Sequence, residues 1–483
     1  MKQSHRHPQA RRPPSSHSGG GSSLKRVFFG RGPRAVATFV CYVVNGTDQR
    51  ARELLEQELE RSGFGRRDRD LATELTYGTL RRRGTLDHVL GRFSRVPLKK
   101  IQPRVLEILR VAAYQLLFLD KVPASAAVNE AVKLAKRVSS QGAVGFVNAC
   151  LRSIARAIVG RREEPGGDVR AAVPSGEGTV CLLDRPVLPD PARSLAEHLA
   201  AAHSLPRWLV RRWLRRHDEA QCRELCRRAN ATPSLVVRVN HLRTTQEALV
   251  AELVRGGVWA SPLGPQHVAL ENAGDPSRLR AVRDGLCTVQ GVAASASAPL
   301  LAPRPGERVL DVCSAPGSKA CQLAELAECG AQVVALDVSP RRLAQVRENA
   351  QRLGVATVWP VAGDGCACER LFAAAFDAVL VDVPCSNTAV LARRVESRWR
   401  VSEGRIAELA SLQHRLLESA AGVLRPGGRL VYSTCSLEPE ENEQVVERFR
   451  AEHQDFRVAA SRTLLPMDTA DDGGYVALLE RAE

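Results

Sequence analysis

At 483 residues the chain is too long for one ordinary core, so two to four domains are expected. A formal net charge of +16 argues for a polyanionic partner, nucleic acid first among them, and says nothing of fold. The 13 cysteines include no C-x-x-C pair and no dense short module, which excludes a disulfide framework and a structural zinc site and suits a reducing cytoplasm.

Met1 to Arg34 is rich in Ser, Gly, Arg, His and Pro without periodicity and cannot bury enough apolar surface to offset its ordering entropy. Residues 1–45 are therefore assigned to a disordered basic tail. Within it, Ala35 to Val44 (AVATFVCYVV) is too short to span a membrane and is followed by no small-residue cleavage site. It reads as a strand or a lead-in to a helix, and no membrane partner is expected.

Residues 46–160 change to helical spacing. Ala51, Leu54, Leu55 and Leu59, then Val105, Ile108, Leu109, Ala112 and Ala113, recur at three and four residues, as an apolar stripe does. Breaks at Gly63, Gly84, Pro97 to Pro103, Pro123 and Gly142 predict a bundle of about six or seven helices. Arg66, Arg67, Arg69, Arg81, Arg82 and Arg83 are placed on polar faces, with RNA contact and plain solvation weighed evenly. The runs RDRDLATELTYGTLRRRGTLD, RVLEILRVAAYQLLFLDKVPASAAVNEAVKLAK and GFVNACLRSIAR resemble the NusB-like RNA-binding fold, which implies an RNA-binding or docking role.

Residues 161–195, rich in Gly, Pro and charge, read as a linker. Residues 196–290 read as a small α+β unit: two amphipathic helices between Leu205 and Ala229, the strand LVVRVN at Leu235 to Asn240, and a helix from Thr245 to Gly256. Trp208 and Trp213 could stack on bases, but packing is favoured about three to one by the burial preference of Trp.

Residues 291–483 carry the chemistry. The strand Val309 to Val312 ends in a loop, Cys313, Ser314, Ala315, Pro316, Gly317, that leads through Ser318 into a helix from about Lys319. Small residues there let the backbone approach a ligand, and the amides of a helix start favour its polar or anionic end. Asp337 ends a second strand, where a carboxylate can take both hydroxyls of a ribose, and Asp364 follows a third. The loop is not G-x-G-x-x-G, so a dinucleotide is not the favoured ligand. Strand, loop, helix and strand-end acids in this order describe the cofactor half of an S-adenosylmethionine-dependent methyltransferase. Two further buried strands each deliver a cysteine past their ends, Cys385 in AVLVDVPCSNT and Cys435 in YSTCS, aimed at one crevice.

The pieces LDVCSAPGSK, ALDVSPRRL, DVPCSNT, RRVESRW, LRPGGRLVYSTCSLEPEENE and DGGYVALLER resemble the Sun/RsmB (Fmu) family of ribosomal RNA cytosine-5 methyltransferases. The resemblance, joined to the NusB-like front end, implies three units. These are an all-α NusB-like bundle, a small α+β linker domain and an α/β Rossmann-like class I methyltransferase domain. It implies S-adenosyl-L-methionine as cofactor, no metal, a monomer in the cytoplasm, and RNA as partner, small-subunit ribosomal RNA by preference. It assigns Cys435 as nucleophile, Cys385 as the residue that assists product release, and Asp382 as the acid that holds the cytosine. Lys319 is the cation that could lower the thiol pKa values. The readings beside it are a transfer RNA cytosine-5 methyltransferase and a non-catalytic RNA-binding assembly factor. Three departures stand out from the family pattern: Ser318 for a second glycine, Asn387 and Ala389 for small positions of GTGV, and no acid after the glutamine of VQG at Val289 to Gly291.

Overall fold

The computed structural model describes residues 29–163, 167–176, 178–373, 376–469 and 472–483. Most of the tail expected to be disordered lies outside them, but its last part is ordered. Pro33–Gly46 is a helix with proline in its first turn, where the missing N–H costs nothing. Ala37, Val40, Cys41 and Val44 are buried in the core of the helical domain. An apolar run too short for a bilayer is long enough for three helical turns that are covered on most sides.

Five more helices complete the bundle: Ala51–Ser62, Arg66–Phe93, Pro103–Phe118, Ala124–Val138 and Gln141–Ala157. Gly63, Pro97 to Pro103 and Pro123 separate helices as expected, while Gly84 does not, since Arg66–Phe93 runs through it. Gly84 is small for another reason. A Cβ there would stand 2.7 Å from Cη2 of Trp399 and 3.1 Å from Cα of Ser204, so its absence lets two other parts of the chain seat on this helix.

Two arginines expected on the solvated face lie inside. Arg81 donates to the carbonyl of Ala392 at 3.2 Å, and Arg82 lies over the ring of Phe118. Burial lowers both pKa values, that of Arg82 to about 10.

The presumed linker is also structured where it is described. Ile158–Glu163, Thr179–Leu183 and Ala172–Pro174 form an antiparallel sheet in that order. Val173, Cys181 and Leu183 enter the core of the bundle, so the segment closes that core instead of spanning a gap.

The small unit contains the helices Arg207–Arg216 and Glu219–Arg228 and a four-stranded antiparallel sheet crossed by Gln246–Arg255. Trp213 is buried and Trp208 packs against the same cluster, so both rings are packing residues.

The largest sheet has seven strands. Their order is Val358–Ala362, Gln332–Asp337, Arg308–Val312, Phe376–Asp382, Leu424–Thr434, Gly474–Arg481 and Phe456–Leu464. The first five run parallel, and Gly474–Arg481 is antiparallel to both of its neighbours. The central strands are buried along their length, as both faces are covered by helices. Among the described residues no helix is long and apolar enough to cross a membrane.

Candidate active site

The loop after Arg308–Val312 is built on left-handed backbone. Cys313 has φ 63° and Gly317 φ 95°, and a Cβ on Gly317 would stand 3.1 Å from Cα of Val346. Only glycine fits there. Ser318 is the first residue of the helix Ser318–Leu326, so the departure from a second glycine meets no such demand.

Three carboxylates flank this loop. Asp337 accepts from the amides of Ala315 (3.1 Å) and Ser339 (2.9 Å), with Nη1 of Arg342 at 3.3 Å. Asp364 accepts from the amide of Cys366 at 2.9 Å. Asp382 accepts from Nζ of Lys319 and, at 3.1 Å, from the hydroxyl of Ser433. Lys319 is thus paired with Asp382 and lies 3.2 Å from the hydroxyl of Ser433. Asp311, absent from the sequence expectations, is fully buried beneath the loop, with Oδ2 accepting from Ser314 at 2.7 Å and Oδ1 unpartnered. Burial pushes its pKa up to about 7, against the opposing hydrogen bond from Ser314. Burial also raises the Cys313 thiol, as do Asp382 and Asp337 beside it.

The two cysteines meet sulfur to sulfur, their Cα atoms 6.3 Å apart. The amide of Cys435 donates to Sγ of Cys385 at 3.2 Å, and Sγ of Cys435 lies 3.3 Å from Oδ1 of Asn387. Asn387 has φ 62°, the left-handed conformation that asparagine tolerates best among residues with a side chain. The replacement of glycine in this loop thus keeps the backbone shape and adds an acceptor beside a thiol.

Glu441 holds the two cysteine loops together, and the sequence expectations assigned it no role. It is fully buried. Its Oε1 accepts from the amide of Ser386 (2.8 Å) and Nε2 of Gln413 (3.1 Å), and its Oε2 from the hydroxyls of Ser386 and Ser436. Each serine directly follows one of the two cysteines. The only sequence signal was the PEEN run, which says nothing about which loops its second acid would join. From the small unit, Arg212 pairs with Glu438 (2.8 Å) and Glu440 (2.6 Å), bracing the same loop.

A cavity of about 980 Å³ opens onto this assembly. Cys313, Ala315, Asp337, Asp364, Asp382, Cys385 and Cys435 all line it. Ser314, Pro316, Gly317, Ser318 and Lys319 do not line it. Asp48 and Arg50 of the helical domain line it too, which no spacing within the catalytic segment could indicate.

Residues 298–479 match the family described as 16S rRNA methyltransferase RsmB/F, residues 31–156 the NusB family, and residues 205–276 the RsmF/B-like ferredoxin-like domain. A probable ribosomal RNA small subunit methyltransferase B of Synechocystis sp. is 32% identical over 472 residues, 93% of this chain and 99% of the relative. The chain belongs to the RsmB/F methyltransferase family. A ribosomal RNA small subunit methyltransferase B of Vibrio cholerae is 32% identical over 86% of this RsmB/F chain and 90% of its own. The solved structure of PH0851 shares the fold, with a TM-score of 0.74 over 93% of this chain and 99% of its own at 24% identity. The family assignment agrees with the expected architecture of NusB-like bundle, small α+β unit and class I methyltransferase sheet.

Proposed function

We propose that this RsmB/F methyltransferase transfers a methyl group from S-adenosylmethionine to carbon 5 of a cytosine in RNA, with small-subunit (16S) ribosomal RNA as substrate. The observation that carries the reading is the pair of sulfurs, Cys385 and Cys435, meeting on the wall of the cavity that Asp382 also lines. A single cysteine would serve packing; two from separate strands at one point serve chemistry. The relatives' names supply ribosomal RNA, and the basic surplus suits it.

The residues present fit the cofactor. Asp337 and Asp364 stand at the ends of neighbouring strands as acceptors for hydroxyl and amine groups, and Cys313 and Ala315 of the turn line the same cavity. When bound, S-adenosylmethionine supplies an electrophilic methyl group on a sulfonium centre.

Carbon 5 of cytosine is too weak a nucleophile to take that methyl unaided. As a thiolate, Cys435 forms a bond from Sγ to carbon 6, and the ring electron pair moves onto carbon 5. Asp382, beside Lys319, holds the exocyclic amine or a protonated ring nitrogen and so stabilises the electron-rich ring. After carbon 5 has accepted the methyl group, Cys385 takes its proton. The double bond re-forms and the bond from Sγ of Cys435 to carbon 6 breaks. The target must first be unstacked from its neighbours.

Bisulfite sequencing of cellular RNA with and without the gene tests the reading. One or more methylated cytosines in small-subunit RNA should vanish without the gene and stay absent with Cys435→Ala. An unchanged map would remove the enzyme reading, and loss confined to transfer RNA would move the substrate.

A further inference from the structure

The cavity has two unlike walls. The strand ends present Asp337, Asp364 and Asp382, whereas residues 48–50 of the helical domain and 394–405 of the catalytic domain present Arg50, Arg394, Arg400 and Arg405 against Asp48 and Glu396. Two of these arginines are committed. Arg400 donates to the carbonyls of Val44 (3.2 Å), Thr47 (3.1 Å), Asp48 (3.2 Å) and Gln49 (2.7 Å), which fastens the turn after the first helix to the cavity rim. Arg405 pairs with Glu408 at 2.9 Å.

The other two are not. Among the described residues the side chain of Arg50 pairs only with Glu53, at 3.6 Å and with both side chains more than half exposed. Among the described residues Arg394 makes no side-chain hydrogen bond and no ion pair. Partial desolvation lowers its pKa, the positive charge of Arg50 adds to that, and Glu396 opposes it. Both guanidinium groups line the same cavity and neither is spent in a close ion pair, so each is open to an anion that enters there.

We propose that Arg50 and Arg394 form a seat for a backbone phosphate of the RNA strand whose cytosine enters at Cys435. The proposal rests on the RNA reading above and names the part of the strand that this wall would hold. A phosphodiester is the anion that matches planar, bidentate guanidinium groups at the rim of a base pocket. The helical domain then contributes to the substrate site itself, through one residue on a turn that Arg400 holds in place.

The test uses the full chain and a single-stranded RNA oligonucleotide containing the target cytosine. Binding is followed by anisotropy across a series of salt concentrations for Arg50→Ala, Arg394→Ala and the double variant. The double variant should weaken RNA binding about tenfold and lower the slope of log affinity against log salt by about 0.7, the value for one phosphate on a single strand. Arg50→Lys should keep the slope, and Arg450→Ala, on the helix Glu443–Glu452 away from the cavity, should change neither. S-adenosylmethionine affinity by calorimetry should stay at the wild-type value, which also reports that the variants fold. Wild-type RNA affinity and slope in the double variant would overturn the seat, as would a loss of cofactor affinity matching that for RNA. Failure of the methylation reading shows separately, in wild-type activity, which this binding series does not use.

Discussion

Glu441 and Arg398 are both fully buried charges, and neither meets an opposite charge among its hydrogen-bond partners. Glu441 takes its donors from Ser386, Ser436 and Gln413, all in the catalytic domain. Arg398 instead donates to carbonyls of Arg81 in the helical domain, Ser204 and Ala229 in the small unit and Leu391 in the catalytic domain, and to Oδ1 of Asn230. Burial drives its pKa well down. A buried charge with neutral partners fixes whichever segments supply those partners. One such charge sets the sulfurs of Cys385 and Cys435 side by side, and the other joins three units.

Arg398→Ala should give the largest effect, because it leaves several carbonyls buried without donors at the meeting of three units. A loss of about 3–5 kcal/mol in unfolding free energy is expected, by denaturant titration. Retention of wild-type stability would end its role as the assembling residue.

Glu441→Gln should separate the two regions most sharply. Its amide would place a donor against hydroxyls and amides that already donate, so kcat should fall about a hundredfold, roughly 2.7 kcal/mol, while stability drops about 1–3 kcal/mol. Cofactor affinity should hold. If kcat stayed within twofold, the link between the cysteine loops would be structural only.

Gly84→Ala tests the junction from the other side, by pushing a Cβ into Trp399 and Ser204. Thermal unfolding should report a loss of about 1–3 kcal/mol from overpacking, with kcat little changed in the folded fraction. A neutral result would mean that the domains can shift apart freely.

Asn387→Gly should have the smallest effect. It relieves a left-handed side chain but removes the acceptor beside Cys435, so stability should change by less than about 1 kcal/mol, with the rate of methyl transfer falling modestly. A faster enzyme would show that Asn387 restrains the thiol instead of supporting it.

Much of the site was legible because its signals are local. The run from Cys313 to Gly317, the acids Asp337, Asp364 and Asp382, and the two cysteines each stand at or just past the end of a strand in a short window, and the five parallel strands of the sheet order them at one edge. Gly84 misled for the opposite reason: a glycine kept for close approach looks in sequence like a glycine kept for a turn. Arg81 and Arg82 misled likewise, since amphipathic spacing does not say that another domain will cover the polar face.

The amino-acid sequence by itself determined the strand and helix periodicities, the small-residue loop through Gly317 and the presence of two cysteines after two buried strands, because these depend on residues a few positions apart. Only the tertiary structure decided that Lys319 would serve Asp382, that Glu441 would bridge the cysteine loops, that Arg398 would bind three units, and that Arg50 would stand in the catalytic cavity. Each of those pairs residues from segments far apart in the chain, and a charge buried at such a meeting point is specified by the shape that surrounds it.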